Sequence, residues 1–545
     1  LIHPHHHHPQ SHSSVRRRPH RMEGEVFSGP VLERFFIFSP PLGPTDETEQ
    51  EKLLFFQPDT LSEQQQLKHV GLSEGLIHFA NAFQPADPCS IVRTLRGVQC
   101  FLECEPDFWM VMVLEHPHTL VPSKRVPAAA AAAAAGGDRS LHSSAAASAP
   151  STLSSTTLSS SSLSTASSSS LLTAGAASSF SPPAGASSRA LSPPPTASPQ
   201  CAAARVAATR GTHVALFDDS FLDESVLRAL LGNIYRFFRF FNGPMAQLVE
   251  RRGVSALRTT LEIFIPSLLR RISFANADIF DALDGIRFIP VARDAFLHAT
   301  HSVFRVENTC PQVLHSALLY DEHLVWSGLS QPDMRVLYKY LIFHVLHGDS
   351  SARPATCRGF LRGPENLDDP HCAVNSPVVY LQNREECNLV VFQHEQLLVA
   401  LLVDPMAISD FSFFRALHNS LLQQMTPILR TLTDNYIRAA GNEDSYKYIY
   451  FNHMNLAYKS SLGLPRNGVS LETMQVLEYM HGNFQKNKKI KEFCVKTKRQ
   501  GWVIGQLVAQ REFYVIFETK GYNMSEISEQ VRSLARIFFH QSLVD

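Results

Sequence analysis

One stretch of the sequence, residues 315–341 (HSALLYDEHLVWSGLSQPDMRVLYKYL), constrains the fold more than any other. Its first half has two short apolar runs around a polar turn at 321–323, which is typical of a β-hairpin. In its second half Ser330 is a suitable helix N-cap, with Asp333 three residues later to complete a capping box. Apolar side chains then recur at helical spacing, at Met334, Leu337, Tyr338 and Leu341. The stretch therefore predicts two strands followed by a helix that packs on one face of a sheet.

The same order of elements occurs before and after this stretch. Each of the three units reads as two strands, a helix, about three more strands and one or two final helices. In the first unit the predicted strands are 35–38, 53–56, 91–95, 98–104 and 108–114. This order predicts an α+β fold of three domains, each a five-stranded, mainly antiparallel sheet flanked by helices.

The helix of the first unit begins at Ser62, where Gln65 can complete a capping box. Its predicted apolar stripe consists of Leu72, Leu76, Phe79 and Phe83. We expect this stripe to pack on the helix's own sheet. Gly71 and Gly75, four residues apart, then leave another helix face smooth enough for a partner backbone to approach closely. The alternative is a pair of glycines that the helix simply tolerates.

A change in composition divides the first unit. Residues 126–212 are mostly Ala, Ser, Pro and Gly, include a run of eight alanines, and have almost no aromatic side chains. Such a segment cannot bury a core, so we expect a disordered insertion, with order resuming at Val214. The His-rich residues 1–30 read as a disordered tail, with order beginning near Val31. The predicted domains are 31–272, which contains the insertion, 273–440 and 441–545.

Composition excludes several classes of protein. The 545 residues carry a net charge of -1, which argues against a general nucleic-acid binder. Nine cysteines without a C-x-x-C pair indicate reduced thiols in a cytosolic protein. No apolar run approaches the roughly 18 residues that a membrane-spanning helix needs. The first residues lack the apolar core of a signal peptide, and without an initiator Met they do not show whether the N-terminus is complete.

Motifs for catalysis are weak. Residues 71–75 (GLSEG) match the G-x-S-x-G nucleophile elbow, but that motif needs a strand leading directly into the turn. A hydrolase that uses Ser73 therefore stays an alternative hypothesis. Cys100 and Cys104 lack the second pair of a zinc site, so core packing is the simpler interpretation. No phosphate-binding loop, dinucleotide fingerprint or H-E-x-x-H occurs, and we predict no catalytic side chain, cofactor or metal.

A basic cluster surrounds a predicted strand of the third unit: Lys486, Lys488, Lys489, Lys491, Lys496, Lys498 and Arg499. Such a run is most often a solvated face. It could also contact anionic lipid headgroups, which attract each lysine or arginine near the membrane surface by about 1 kcal/mol.

Several long segments resemble a known family. They are FFIFSPPLGPTDETEQEKLLFFQP, VGLSEGLIHFANAF, FWMVMVLEHP, SALLYDEHLVWSGLSQPDMRVLYKYL, GFLRGPENLDDP and YIYFNHMNLAYKS. In this order they resemble the vacuolar fusion protein Ccz-one family, from near Phe35 to the C-terminus. The resemblance implies three longin domains, and heterodimer formation with a Mon-one subunit. The pair would be a guanine-nucleotide releasing factor for the late-endosomal Rab GTPase.

The resemblance also implies a biological setting. It places the protein in vesicle-mediated transport, in endosome maturation, lysosome or vacuole fusion and autophagy. The protein would be cytoplasmic and peripherally recruited to these membranes. It would act by binding rather than by side-chain chemistry. The rival hypothesis is a longin-domain tether or coat scaffold without exchange activity.

Two candidate surfaces follow from the resemblance and the residues together. The GTPase or partner interface is expected on the first domain, at Pro58, Gly71, Ser73, Glu74, Gly75 and His78. Contact with an anionic or phosphoinositide-bearing membrane surface is expected at Lys486, Lys488, Lys489, Lys491, Lys498 and Arg499.

Overall fold

The computed structural model describes residues 26–28, 30–45, 47–83, 90–116, 118–122, 205–208, 213–217, 223–272, 274, 277–288, 291–347, 359–369, 371–440, 446–462, 469–487, 489–497, 501–517 and 523–541. The N-terminal part contains β1 (Val26–Ser28), β2 (Val31–Phe38), β3 (Leu53–Gln57), α1 (Glu63–Phe83), β4 (Ile91–Arg93), β5 (Gly97–Glu105), β6 (Phe108–Glu115), β7 (His118–Pro122), β8 (Arg205–Ala208) and β9 (His213–Phe217).

The first sheet has five antiparallel strands, as predicted, and their order is β3-β2-β6-β5-β4. A separate four-stranded sheet has the order β1-β7-β9-β8. Two expectations are corrected by this small sheet. β1 lies within the predicted N-terminal tail, and β8 lies within the predicted insertion, so order resumes before Val214. Residues 1–25 and most of 126–212 lie outside the described residues.

Two long helices follow, α2 (Glu224–Asn242) and α3 (Met245–Leu269). Asp223 caps α2 by accepting a hydrogen bond from the Ser225 backbone N–H at 2.9 Å. Eight apolar side chains of α2 are buried: Val226, Leu227, Leu230, Leu231, Ile234, Phe237, Phe238 and Phe240. Non-helical backbone at Gly253, with φ 82°, interrupts α3.

The middle part continues with α4 (Ile279–Leu283), β10 (Ile286–Arg287), α5 (Arg293–Thr309), β11 (Val313–Tyr320), β12 (His323–Ser327), α6 (Gln331–Tyr340), a π-helical turn (Leu341–Leu346), β13 (Phe360–Pro364), β14 (Val374–Asn375), β15 (Val378–Tyr380), β16 (Glu386–His394), β17 (Leu397–Val403) and α7 (Phe411–Ala440). The predicted hairpin and helix of 315–341 are confirmed. Ser330 accepts from the Asp333 backbone N–H, and Met334, Leu337, Tyr338 and Leu341 are all buried.

The second sheet runs β12-β11-β17-β16-β13-β14, with β15 also paired to β16. It therefore has seven strands rather than five, because short strands after the π-helical turn extend one side. The two sheets do not have separate cores. One continuous cluster joins one face of the first sheet, helices α2, α3 and α6, and one face of the second sheet. Helices α5 and α7 cover the opposite face of the second sheet.

The last part contains β18 (Tyr446–Asn452), β19 (Ala457–Ser460), α8 (Leu471–Lys486), β20 (Glu492–Thr497), β21 (Gly501–Val508), β22 (Arg511–Phe517) and α9 (Met524–Gln541). The third sheet runs β10-β19-β18-β22-β21-β20. Its sixth strand, β10, comes from residues that the sequence assigns to the second domain, and pairs in parallel with β19. Helices α4 and α8 cover one face of this sheet, and α9 covers the other.

Candidate interaction surface

Helix α1 of the first domain is the candidate interaction surface that the sequence indicates. The helix starts where predicted: the Ser62 backbone N–H donates to Oε1 of Gln65 at 3.2 Å. This contact is the half of a capping box in which the side chain three residues on satisfies the N-cap amide. The start of the helix thus follows from local chemistry.

The face of α1 that packs on the sheet differs from the predicted one. Val70, Ser73 and Ile77 are buried, against Phe36, Phe38, Phe56, Phe101, Val111 and Val113 of the first sheet. Leu72 and Phe79 are instead 58% and 66% exposed. The predicted stripe is therefore wrong at these two positions, Leu76 is only partly buried, and the side chain of Phe83 lies outside the described residues.

A polar contact explains the difference. The Ser73 hydroxyl donates to the backbone carbonyl of His69 at 2.9 Å and accepts from the Gln99 side-chain amide at 2.7 Å. A buried hydroxyl with both functions satisfied costs little, so serine can occupy the inner face. Its burial corrects the assignment of Ser73 to the partner interface. Ser73 also lies within the helix rather than on a strand-to-helix turn, so residues 71–75 do not form a nucleophile elbow.

The outer face of α1 consequently carries the apolar side chains. Leu72, Gly75 and Phe79 follow each other at i, i+3 and i+7, which places them on one face. A Cβ atom built at Gly71 or at Gly75 would meet no heavy atom within 4 Å. His78 is exposed beside them. We call Gly71, Leu72, Gly75, His78 and Phe79 the outer α1 face.

The helix is fixed from its flanks. Nζ of Lys52 lies 3.1 Å from Oε2 of Glu74, and both side chains are partly buried. The ring of His69 stacks on Phe56 of β3, with centroids 6.3 Å apart. Burial, reinforced by Arg34, lowers the pKa of His69 and favours its neutral form. Glu74 therefore serves the attachment of α1, while Pro58 is half-buried just after β3.

The equivalent helices of the other two domains are covered by the chain itself. Tyr340 of α6 packs on Phe241 of α2, with ring centroids 4.9 Å apart. On α8, a Cβ built at Gly482 would lie 3.0 Å from Oδ1 of Asp223 at the start of α2. The outer α1 face is exposed among the described residues. Helix α8 also exposes two large side chains, Leu471 and Tyr479, but its Gly482 is covered, whereas Gly71 and Gly75 of α1 have open space beside them.

Comparison with known families identifies all three domains. Residues 32–149 match the family described as "First Longin domain of INTU, CCZ1 and HPS4". Residues 313–429 match "Intu longin-like domain 2", and residues 442–534 match "Intu longin-like domain 3". The α+β fold with three longin domains is therefore confirmed.

Full-length relatives carry one name, "Vacuolar fusion protein CCZ1 homolog". The chain is 28% identical to the protein of that name from Nematostella vectensis over 94% of this chain and 97% of the relative. It is 26% identical to the one from Xenopus laevis, over 94% of this chain and 96% of that protein. It is 24% identical to the one from Dictyostelium discoideum, over 93% of this chain and 97% of that protein. The chain belongs to the vacuolar fusion protein CCZ1 family.

The basic cluster of this CCZ1-family chain lies at the end of α8 and along β20. Lys489 and Lys491 are exposed. Two other lysines have partners: Nζ of Lys486 lies 3.0 Å from Oε2 of Glu224, and Nζ of Lys496 lies 5.2 Å from the ring centroid of Trp502. Lys488, Lys498 and Arg499 fall outside the described residues. The accessible charge of the described cluster is thus concentrated just before β20.

Cys100 and Cys104 are packing residues. Cys100 is buried in the shared core, and the Cys104 thiol donates to the carbonyl of Phe108 at 3.2 Å. Burial raises the pKa of Cys104 well above its usual range, so its thiol stays protonated. In the described part of the chain, no group of three or more metal-ligating side chains could hold an ion, and no helix is long and apolar enough to cross a membrane.

Proposed function

We propose that this CCZ1-family chain is one subunit of a heterodimeric guanine-nucleotide exchange factor for the late-endosomal Rab GTPase, with a Mon-one protein as the other. It would act in vacuole or lysosome fusion, endosome maturation and autophagy, recruited from the cytoplasm to the membrane surface. Membership of a family whose members are named vacuolar fusion proteins supports the fusion role. The resemblance set out in the sequence analysis supports the partner and the GTPase.

The observation that carries the proposal is the outer α1 face. Two large apolar side chains, Leu72 and Phe79, are more than half exposed on the side of α1 that faces away from its sheet. Covering a leucine or phenylalanine fully contributes about 1.5–3 kcal/mol each, so the two together suit an interface anchor. Gly71 and Gly75 lie beside these two side chains, and a Cβ atom at either glycine would meet open space. The backbone of a partner could therefore approach α1 closely at these glycines.

The mechanism needs binding and no side-chain chemistry. A GTPase holds its nucleotide through Mg²⁺, a phosphate-binding loop and two switch segments. A surface that binds the switch segments more tightly in an opened arrangement stabilises the nucleotide-free state and speeds release. The outer α1 face would contribute to such a surface, either directly or by pairing with the first longin domain of the partner.

The test is nucleotide release from the Rab GTPase, measured with purified chain in the presence and absence of the Mon-one subunit. Gly75→Leu fills the open space on the outer α1 face. Because nothing lies within 4 Å of the new Cβ, we expect a folded protein. We expect pairing or exchange to fall at least tenfold. Ser255→Leu, on an exposed position of α3, is the matched control and should leave both unchanged.

Four results separate the alternatives. Loss of pairing in the Gly75 variant assigns the face to the partner, and retained pairing with slow release assigns it to the GTPase. Wild-type pairing and release in this variant would remove α1 from the site. A wild-type complex that binds the GTPase without accelerating release would favour the tether or coat scaffold, which the exposed apolar face fits equally well.

A further inference from the structure

The first two longin domains behave as one body. Helix α2 contacts β5 of the first sheet and β15 of the second, and a single apolar cluster runs through both. The third domain has its own cores on the two faces of its sheet. The structure therefore divides into a body of two domains and a third domain joined to it by residues 277–288.

Residues 279–287 of this joining segment pack on the third domain. Ile279 and Leu283 of α4 are buried in the core beneath α8. β10 continues the third sheet by pairing with Ala457 and Tyr458. Gly285 is held so closely that a Cβ there would lie 2.9 Å from the Tyr458 ring. These contacts anchor α4 and β10 to the third domain, while Phe288 at the end of the segment also bridges to Leu324 of β12 in the body.

Asp284 lies at the point where the segment meets the body. Its side chain is 5% exposed and faces three cations of the body. Arg236 of α2 donates to Oδ2, Arg335 of α6 approaches Oδ2 to 3.0 Å, and Lys339 of α6 contacts Oδ1. Burial alone would raise the pKa of Asp284, but Lys339, Arg236 and Arg335 outweigh it and lower the pKa. The carboxylate is thus charged and held by two helices of the body.

The remaining described contacts between the body and the third domain include several polar ones. Nζ of Lys486 reaches Oε2 of Glu224 at 3.0 Å, and NH1 of Arg287 reaches Oε2 of Glu322 at 3.0 Å. Ala277, Ala282 and Ile286 add an apolar contact with the shared core, and Phe288 forms a β-bridge to Leu324 of β12. Charged groups recover their hydration when they separate, whereas large apolar faces do not, so an interface with this composition can open at modest cost.

We propose that Asp284, Arg236, Arg335 and Lys339 form an ionic latch that sets the orientation of the third domain, and that it opens without unfolding either part. The three cations come from two helices of the body, so the single carboxylate determines where the third domain is seated. In the released arrangement the third domain and residues 277–288 turn together away from α2 and α6.

The Lys486–Glu224 pair supplies a built-in reporter. It joins the third domain to the body twelve residues from Arg236 along α2, or about 18 Å away. A carbodiimide condenses the Lys486 amine with the Glu224 carboxylate to an amide, taking up the elements of water, only while the two groups touch. The Lys52–Glu74 pair, at 3.1 Å within the first domain, is the matched internal control. Mass spectrometry quantifies both cross-links in the full chain.

For Asp284→Asn we expect the Lys486–Glu224 cross-link to fall at least threefold while the Lys52–Glu74 cross-link is unchanged. X-ray scattering should show a larger radius of gyration. Glu386→Gln, which removes an exposed pair with Arg251, should change neither quantity. A lower melting temperature with an unchanged Lys486–Glu224 yield would show a purely local ion cluster and overturn the proposal.

A second variant covers the case in which Asp284→Asn fails to fold, seen as loss of both cross-links. Lys339→Gln removes one cation and leaves Arg236 and Arg335 on the carboxylate. We expect an intermediate Lys486–Glu224 yield with an intact Lys52–Glu74 cross-link. A yield equal to that of the native chain in this folded variant would contradict the latch.

Discussion

The side-chain amide of Gln99 on β5 donates a 2.7 Å hydrogen bond to the hydroxyl of Ser73 on α1. This bond ties the helix to the sheet that it covers. Ser73 shares the inner face of α1 with Val70 and Ile77, and Leu72 is directed outward.

Ser73→Ala tests this relationship. It leaves the Gln99 amide without its acceptor, so we expect the free energy of unfolding of the first two domains to fall by about 1 kcal/mol. Pairing with the partner subunit should not change. Leu72→Ala should do the reverse, with nearly unchanged stability and weaker pairing. Urea unfolding measures the stability of both variants, and a pull-down with the partner subunit measures their pairing. Weaker pairing of the Ser73→Ala variant would place Ser73 in the interface.

We expect the predicted insertion to be dispensable for folding up to the start of β8. Deleting 126–200 with a short linker should leave the melting temperature nearly unchanged, because this composition does not offset the entropy of ordering. Extending the deletion to 212 removes β8, which pairs with β9, and we expect a lower melting temperature. Calorimetry of the two deletions compares them directly. Equal melting temperatures would mean that β8 does not stabilise the domain.

Glu512 makes the third domain sensitive to acid. The carboxylate is fully buried and meets His481 Nδ1 and His453 Nε2 at 2.7 Å each, while Tyr514 and Gln485 donate to it at 2.6 and 3.0 Å. Burial alone would raise the pKa of Glu512, but the two imidazoles outweigh it and lower the pKa to about 2. This contribution to stability is present above a pH of about 4.5 and is lost as pH falls toward 2.

We therefore expect the unfolding free energy of the wild-type chain to fall faster than that of Glu512→Gln as pH drops from about 5.5 to 3. The lowered pKa of Glu512 corresponds to about 3 kcal/mol of unfolding free energy in total. The pH range from about 5.5 to 3 covers only a part of that loss. Chemical unfolding at several pH values, followed by a probe in the third domain, measures the difference. Parallel curves for the two proteins would show that the carboxylate does not titrate in this way.

Charge reversal in the basic cluster tests membrane contact. Changing Lys488, Lys489 and Lys491 to glutamate should weaken binding to anionic liposomes severalfold and leave exchange in solution intact. The effect should shrink as salt is added, because the Debye length falls to about 3 Å at 1 M. Liposome flotation measures both. Binding that ignores the mutations and the salt would exclude a role for these lysines.

The sequence predicted the structure correctly where a clear hydrophobic periodicity and a helix-capping residue indicated the same elements. The hairpin and helix of 315–341 follow from alternation, Ser330 and four apolar positions, and all of these are observed. The strands of the first sheet were found for the same reason. Local patterns could not show that β10 would join the sheet of the following domain, because its two-residue pairing depends on the contact of Gly285 with β19.

The outer α1 face shows why the candidate site was only partly predicted. Gly71, Gly75 and His78 are where the sequence suggested, but Leu72 and Phe79 were assigned to the core because they are apolar. The missing information was long-range: a glutamine 26 residues away satisfies Ser73 and allows it to turn inward. The sequence does contain the pattern of the observed inner face, because Val70, Ser73 and Ile77 stand at i, i+3 and i+7. This helical pattern competes closely with the predicted stripe of apolar residues.

The core shared by the first two sheets also fixes when this protein can fold during synthesis. Helix α2 needs the first sheet on one side and strands as late as β17 on the other. Until β15, β16 and β17 have left the ribosome, the aromatic side chains of α2 can pack on Phe264 of α3 and Tyr340 of α6 but not on the second sheet. The nascent chain must therefore carry a half-covered α2 through the synthesis of more than 150 further residues, a long interval in which a chaperone could bind it.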